Sequence, residues 1–449
     1  MAAGGMIAAW MVEMIYWFEL SGTGCFIALL VSGVLVIPLA LCYSELSGML
    51  PLSGGENVWV SNAFNWDVGY FFNWLLYLMY ILAMPTVAFG ISTMASYFAP
   101  LPFEQVRWLA LAVLLVWYFI SNIRIKFLGI IQNIMFTVMV VISLGVVVLF
   151  VTSGQWSFSN LTPWFPQGFK GFYAAVGILV FKYIGFDMIP QLSEEANFPR
   201  NQHWKAYLGA MAITFIVYGA AIIGNAGVVG TEWILNTDII DPRIADLLGM
   251  HWAAWTVVIA GILGTVTTLT GFWLAASRSL LGGSLQKQLP AVLQKINSQG
   301  QPWAANIVVA VFSIFFTVLA PIAWVEYIYT IYALIAGVVY LMVALSFVIL
   351  RRTKPEWERP YKVPYAPLLG AIAVIFPIWV ITASLSEIDP RSLAIIGSYF
   401  AVGIVIYIYV KVMQKKYPEE WAPYILTPKD IKEEKALRSK DIRQEGVNA

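Results

Sequence analysis

Apolar residues arrive in long blocks along this chain, each ended by a short polar segment. A run of about twenty apolar residues is long enough to cross the hydrocarbon core of a bilayer as a helix. One partial and eleven full runs fall near 4–20, 25–50, 66–98, 105–121, 127–152, 170–192, 205–229, 252–281, 303–322, 324–350, 366–386 and 392–413. The third run exceeds the thickness of a bilayer, so it must tilt or protrude. The pattern predicts an all-α polytopic membrane protein with about twelve transmembrane helices.

Composition agrees with that class. Apolar residues make up 60% and charged residues 11% of the 449 positions, against about 45–50% and about 25% in soluble domains. Mean hydropathy is +0.76. A net charge of +1 gives no basic field for nucleic acid. Cys25 and Cys42 fall on one predicted helix about 25 Å apart, too far to bridge, and neither suggests redox work. His203 and His251 stand alone, and no Cys/His cluster has metal-ligand spacing, so no metal and no cofactor is expected. Lysine and arginine set the orientation, because short cytoplasmic loops hold the excess. Arg124, Lys126, Arg200, Lys205, Arg278, Lys287, Lys295, the cluster from Arg351 to Lys362 and the tail share one side. Arg107, Lys170, Arg243 and Arg391 fall on the other. The C-terminus is therefore expected on the cytoplasmic side, and residues 414–449 form a charged, solvated tail.

The stretch from Phe181 to Arg200 breaks the apolar pattern with Lys182, Gly185 and Asp187 and ends in Glu194-Glu195. An unpaired charge costs about 2.5–3.5 kcal/mol at the bilayer centre, so these side chains should face protein or a water-filled cavity. The order aromatic, Tyr-Ile-Gly-Phe-Asp, Glu-Glu, Pro-Arg resembles the sixth transmembrane helix of the amino acid–polyamine–organocation transporters. Three further segments carry the same resemblance. Glu45-Leu46 with Leu50-Pro51 and Ser53-Gly54-Gly55-Glu56 is similar to the end of helix 2 and the loop after it. Ala275-Ala276-Ser277-Arg278 with Gln288-Leu289-Pro290 and Pro302 is similar to the exit of helix 8. Arg359-Pro360-Tyr361-Lys362-Val363-Pro364 is similar to the loop before helix 11.

The resemblance implies a LeuT-type fold: a 5+5 inverted repeat with two additional peripheral helices. It divides the chain into a first repeat at 1–152, a second at 170–350 and the peripheral helices at 351–413, before the tail. In such folds helices 1 and 6 are interrupted. A break exposes N–H groups at one half-helix and carbonyls at the other, enough to hold a carboxylate and an ammonium. Gly4 and Gly5 are the expected break in helix 1, followed by Met6, Ile7, Ala8 and Ala9, with the preceding half-helix expected to be missing. Gly185 is the expected break in helix 6, among Phe181, Lys182, Tyr183 and Ile184. Phe181 matches the family's gating aromatic, Phe272 a second lining aromatic, and Asp187 an acidic gating position.

Three departures bear on substrate and coupling. Where many members show Gly-Ser-Gly, this chain has Ala8-Ala9-Trp10, an expectation against the usual carboxylate turn. Lys182 stands beside the expected amine pocket, where it either contacts substrate or pairs with Glu13 between two helices; an acidic or neutral amino acid then fits better than arginine or a polyamine. Thr267 and Thr268 offer hydroxyls for Na⁺, whereas Lys182 or Asp187 offers a site for H⁺, and exchange requires neither. The sequence thus predicts a secondary transporter moving an amino acid or related amine across the cytoplasmic membrane by alternating access. The alternative is a non-transporting sensor or subunit of the same fold. A membrane-embedded enzyme would need a catalytic constellation, and the chain shows no metal set and no nucleophile elbow. The bilayer and a small molecule are the expected partners, with no nucleic acid; oligomeric state is not legible.

Overall fold

A computed structural model describes residues 6–195, 198–320, 324–385 and 390–431. Regular structure among them is helical. A short helix α1 (Trp10–Ser21) turns through Gly22–Gly24 into α2 (Cys25–Met49), and α3 (Glu56–Ala63) links α2 to α4 (Trp66–Ala95). Then follow α5 (Phe103–Ile120), α6 (Ile125–Thr152), α7 (Gly168–Leu179), the four-residue α8 (Met188–Gln191) and α9 (His203–Leu235). After a loop helix α10 (Ile240–Leu247) come α11 (His251–Leu285), α12 (Trp303–Leu319), α13 (Trp324–Thr353), α14 (Ala366–Leu385), α15 (Pro390–Lys416) and the short α16 (Pro418–Trp421).

Every apolar run therefore becomes a helix, with two instructive differences. The run at 170–192 is split: α7 ends at Leu179, a 3-10 turn covers Val180–Tyr183, and regular helix resumes only at Met188. The run at 205–229 is followed by a second short helical piece to Leu235, because Gly230 at φ 74, ψ 170 is not helical and kinks the chain between the two. The long third run forms α4, whose thirty residues extend about 45 Å and so cross a bilayer obliquely.

The third and eighth spans, α4 and α11, make the most extensive helix contact, and the second and seventh, α2 and α9, also pack closely. Helices five apart in the order of spans thus form the centre. Burial ranks them: the apolar windows of α4 and α11 are 89% and 78% buried, those of α5 and α15 only 17%. Leu115, Phe119, Val405 and Ile408 on α5 and α15 face outward, as lipid-covered side chains do. Cys25 and Cys42 lie on α2, both buried and free.

The four sequence motifs meet at the basic end of the bundle. Glu45 of α2 accepts from Arg351 at 2.8 and 2.5 Å and from the Val363 N–H at 2.7 Å, with the Arg359 guanidinium 3.2 Å away. Asn57 donates to Gln288 at 2.7 Å, and Ser53 N–H donates to Glu194 at 2.9 Å. Gly54 and Gly282 let the α2–α3 loop touch α11 backbone to backbone: a Cβ on Gly282 would lie 2.2 Å from the Gly54 Cα. Gly282→Ala should lower stability by about 1–3 kcal/mol through overpacking. Gly209→Ala, where an added Cβ meets nothing within 4 Å, should be neutral or raise stability by up to about 1 kcal/mol. Thermal unfolding of the detergent-solubilised variants checks the contrast.

Candidate functional site

The first break lies immediately before α1. Ala9 adopts φ 46, ψ 22, a left-handed conformation that is unusual for a residue with a Cβ, and its N–H donates to Thr265 Oγ1 of α11 at 3.0 Å. Space for the Ala9 methyl comes from Gly90 of α4, where an added Cβ would sit 2.9 Å away. Tyr218 of α9 accepts from Ala8 N–H at 3.0 Å and lies 2.8 Å from the Met6 carbonyl; Thr268 lies 3.2 Å from the Ile7 carbonyl. Side chains from two neighbouring helices thus satisfy the unwound backbone, which lipid could not do. The helix ladder begins with Val12 and Glu13 bonding to Ala9 O, at 3.0 and 3.1 Å. That leaves the N–H groups of Trp10 and Met11 at the positive end of α1 without a helical acceptor.

The second break runs from Val180 to Asp187. Ile184 is extended at ψ 139, and Gly185 takes φ 124, open only to glycine. Asp187 steadies the turn by accepting from Gly185 N–H at 2.7 Å.

A cavity lies between the breaks, lined by Met6, Ala8, Glu13, Phe181, Lys182, Ile184, Tyr218, Thr268, Phe272 and Tyr332, and by Ala83, Thr86 and Val87 of α4. Its charges cancel: Lys182 Nζ is paired with Glu13 Oε2, both groups are buried, and the ammonium also lies 5.4 Å from the Trp17 ring centre. The pair joins the two interrupted segments. Most of the remaining wall is apolar.

The expected site residues separate into three groups. Met6, Ala8, Glu13, Phe181, Lys182, Ile184, Thr268 and Phe272 meet at the cavity. Ile7, Ala9 and Gly185 shape its backbone without lining it. Tyr183 donates to Leu29 O of α2 at 2.9 Å, Thr267 turns back to Gly264 O at 2.7 Å, and Asp187 lies beneath the cavity. Gly4 and Gly5 lie outside the described residues, and among those described the break falls at Ile7–Ala9. The sequence also places the Trp10 ring in the binding turn, and here the structure corrects it. The indole points to α10, donating to Asp241 Oδ1 at 3.1 Å, and does not line the cavity. Sequence reasoning missed Tyr218, Thr265 and the α4 residues, because a tyrosine or threonine within an apolar run carries no mark of what it will bond.

The sequence matches the amino acid permease family over residues 1–410. The chain belongs to that family. It is 27% identical to the branched-chain amino acid permease BcaP of Lactococcus lactis subsp. cremoris, over 87% of each chain. It is 22% identical to BcaP of Bacillus subtilis, over 80% of this chain and 81% of the relative, and 23% identical to the B. subtilis methylthioribose transporter, over 86% of each. This permease is accordingly a multi-pass membrane transporter of amino acids, built on the fold its motifs foretell.

Two outcomes follow from the site's electrostatics. Lys182→Met leaves the Glu13 carboxylate buried and unpaired, so the single variant should lose about 3–5 kcal/mol, and adding Glu13→Gln should recover most of it; thermal unfolding reads both. On α10, outside the spans, burial pushes the Asp241 carboxyl up to about 6 from 3.8. A raised carboxyl favours folding while protonated, so its stabilisation is complete below the ordinary value and lost as pH rises through about 6. Asp241→Asn should therefore flatten the fall in melting temperature of this permease between about pH 4 and pH 7.

Proposed function

We infer that this permease carries a neutral amino acid with an aliphatic side chain. The observation that carries the reading is the self-neutralised cavity. With Glu13 and Lys182 bound to each other, neither offers a net charge to an acidic or basic side chain, and burying a charged substrate beside them would require breaking the pair. The substrate carboxylate takes the N–H groups of Trp10 and Met11 at the start of α1, where the helix dipole favours an anion. The ammonium takes carbonyls of the unwound segment around Ile184, and the side chain fills the space beside Ala83, Val87 and Phe272. Both BcaP relatives are named for branched-chain amino acids, in keeping with this chemistry.

Orientation follows from charge: the end with Arg124, Arg200, Lys287 and Arg351 is cytoplasmic, as is the C-terminus, in the inner membrane of a bacterial cell. The two broken segments move against α4 and α11 to expose the cavity to each side in turn. The protein moves its substrate without making or breaking covalent bonds in it.

The test is counterflow of labelled leucine in liposomes containing the purified chain. Isoleucine and valine should compete strongly, arginine and glutamate at least tenfold more weakly. Equal competition by arginine or glutamate would refute the neutral-substrate reading.

A further inference from the structure

Beneath the cavity, toward the basic end, two carboxyl groups lie fully buried. Glu56 begins α3, and Asp187 ends the second unwound segment. The Tyr80 hydroxyl of α4 bridges them, 3.3 Å from Glu56 Oε1 and 3.0 Å from the Asp187 backbone carbonyl. Gln191 donates to Glu56 Oε2 at 2.6 Å. The other titratable groups facing the pair are tyrosines: Tyr43 of α2, Tyr207 of α9, and Tyr332 and Tyr340 of α13. Arg278, the nearby cation of α11, is bonded to Gln301 at 3.0 Å and Ser277 at 3.2 Å. Among the described residues no lysine, arginine or histidine hydrogen-bonds to either carboxyl group.

Two buried carboxylates without a countercation are costly enough that one takes up a proton instead. Hydrogen-bond counting identifies which. Tyr80 has one hydrogen and two acceptors in reach, Glu56 Oε1 and the Asp187 carbonyl, so a hydrogen on Glu56 Oε1 would let both contacts be hydrogen bonds at once. Burial and the neighbouring Asp187 charge hold the Glu56 carboxyl well above its ordinary 4.5. Asp187 Oδ2, fully buried, has no hydrogen-bond partner and remains an acceptor for an incoming proton.

We propose that Glu56 and Asp187 form a proton site in which Glu56 holds one exchangeable proton that crosses with the amino acid. The inference rests on the transport reading above. Glu56 is fixed to the frame by α3, which packs on α4 and α13, whereas Asp187 rides on the segment that touches substrate through Phe181 and Ile184. When that segment moves, Tyr80 loses the Asp187 carbonyl, the Glu56 O–H bond breaks toward water at the basic end, and a carboxylate is left. Reopening to the other side restores the proton from water there.

The experiment measures proton and labelled-leucine entry together, in liposomes carrying an internal pH dye. The wild type should move about one proton per leucine, Glu56→Gln near zero, and Glu56→Asp the wild-type ratio. Unchanged coupling in Glu56→Gln, or leucine entry without protons in the wild type, overturns the proposal; the latter leaves the substrate reading intact. Infrared spectroscopy of the solubilised protein decides independently of substrate. A carboxylic-acid carbonyl band at neutral pH that disappears in Glu56→Gln supports the site, and its absence from the wild type refutes it.

Discussion

A peptide group inside a membrane must find a partner within the protein, and the architecture around the cavity is organised by that constraint. Where the chain unwinds before α1, Tyr218 reaches across from α9 and Thr265 and Thr268 from α11 to meet the freed N–H and carbonyl groups. Those bonds fix where the break can sit. They also require α9 and α11 to approach the same few residues, and the glycines at 90 and 264 allow it. The space between the breaks is what remains when the second break is placed opposite, steadied by Asp187 on the Gly185 N–H.

Charge is distributed by the same economy. In the cavity, Lys182 and Glu13 cancel each other and tie the two interrupted segments together. One layer lower, no lysine, arginine or histidine among the described residues hydrogen-bonds to the carboxyl groups of Glu56 and Asp187, so neutrality there requires a proton. At the basic end, Glu45 is met by Arg351 and by the Arg359 guanidinium, closing the α2 terminus onto the loop before α14. These three layers differ in whether their countercharge is a residue of the chain. Among the described residues only the middle one lacks such a residue, and it spans the frame, through Glu56, and the moving segment, through Asp187.

The fold was legible because apolar length is a direct consequence of bilayer thickness: the predicted runs became helical, with edges displaced by a few residues and the run at 170–192 split by its break. The motifs were legible because their glycines and charges mark close contacts, as Gly54 against Gly282 and Glu45 against Arg351 demonstrate. The site was legible only in part. Phe181, Lys182 and Ile184 interrupt a pattern and so could be singled out. Tyr218 and Val87 do not, since aromatic and branched residues are what any buried membrane helix contains. Trp10 misled for a similar reason: its position in the turn was visible, but the direction of its ring depends on Asp241, more than two hundred residues away. Ala9 in a left-handed conformation was likewise invisible, because its stability there comes from Thr265 and the empty space at Gly90.

The central claim is that the space between the two breaks binds the amino acid. Its most direct test is the thermal shift caused by leucine in the wild type and in Val87→Trp, which fills the cavity from α4. At a hundredfold excess over Kd a ligand stabilises the folded state by about 2.7 kcal/mol. A leucine shift in the wild type that vanishes in a folded Val87→Trp protein is the predicted result; a shift that survives in the filled variant would place the substrate elsewhere and contradict the account.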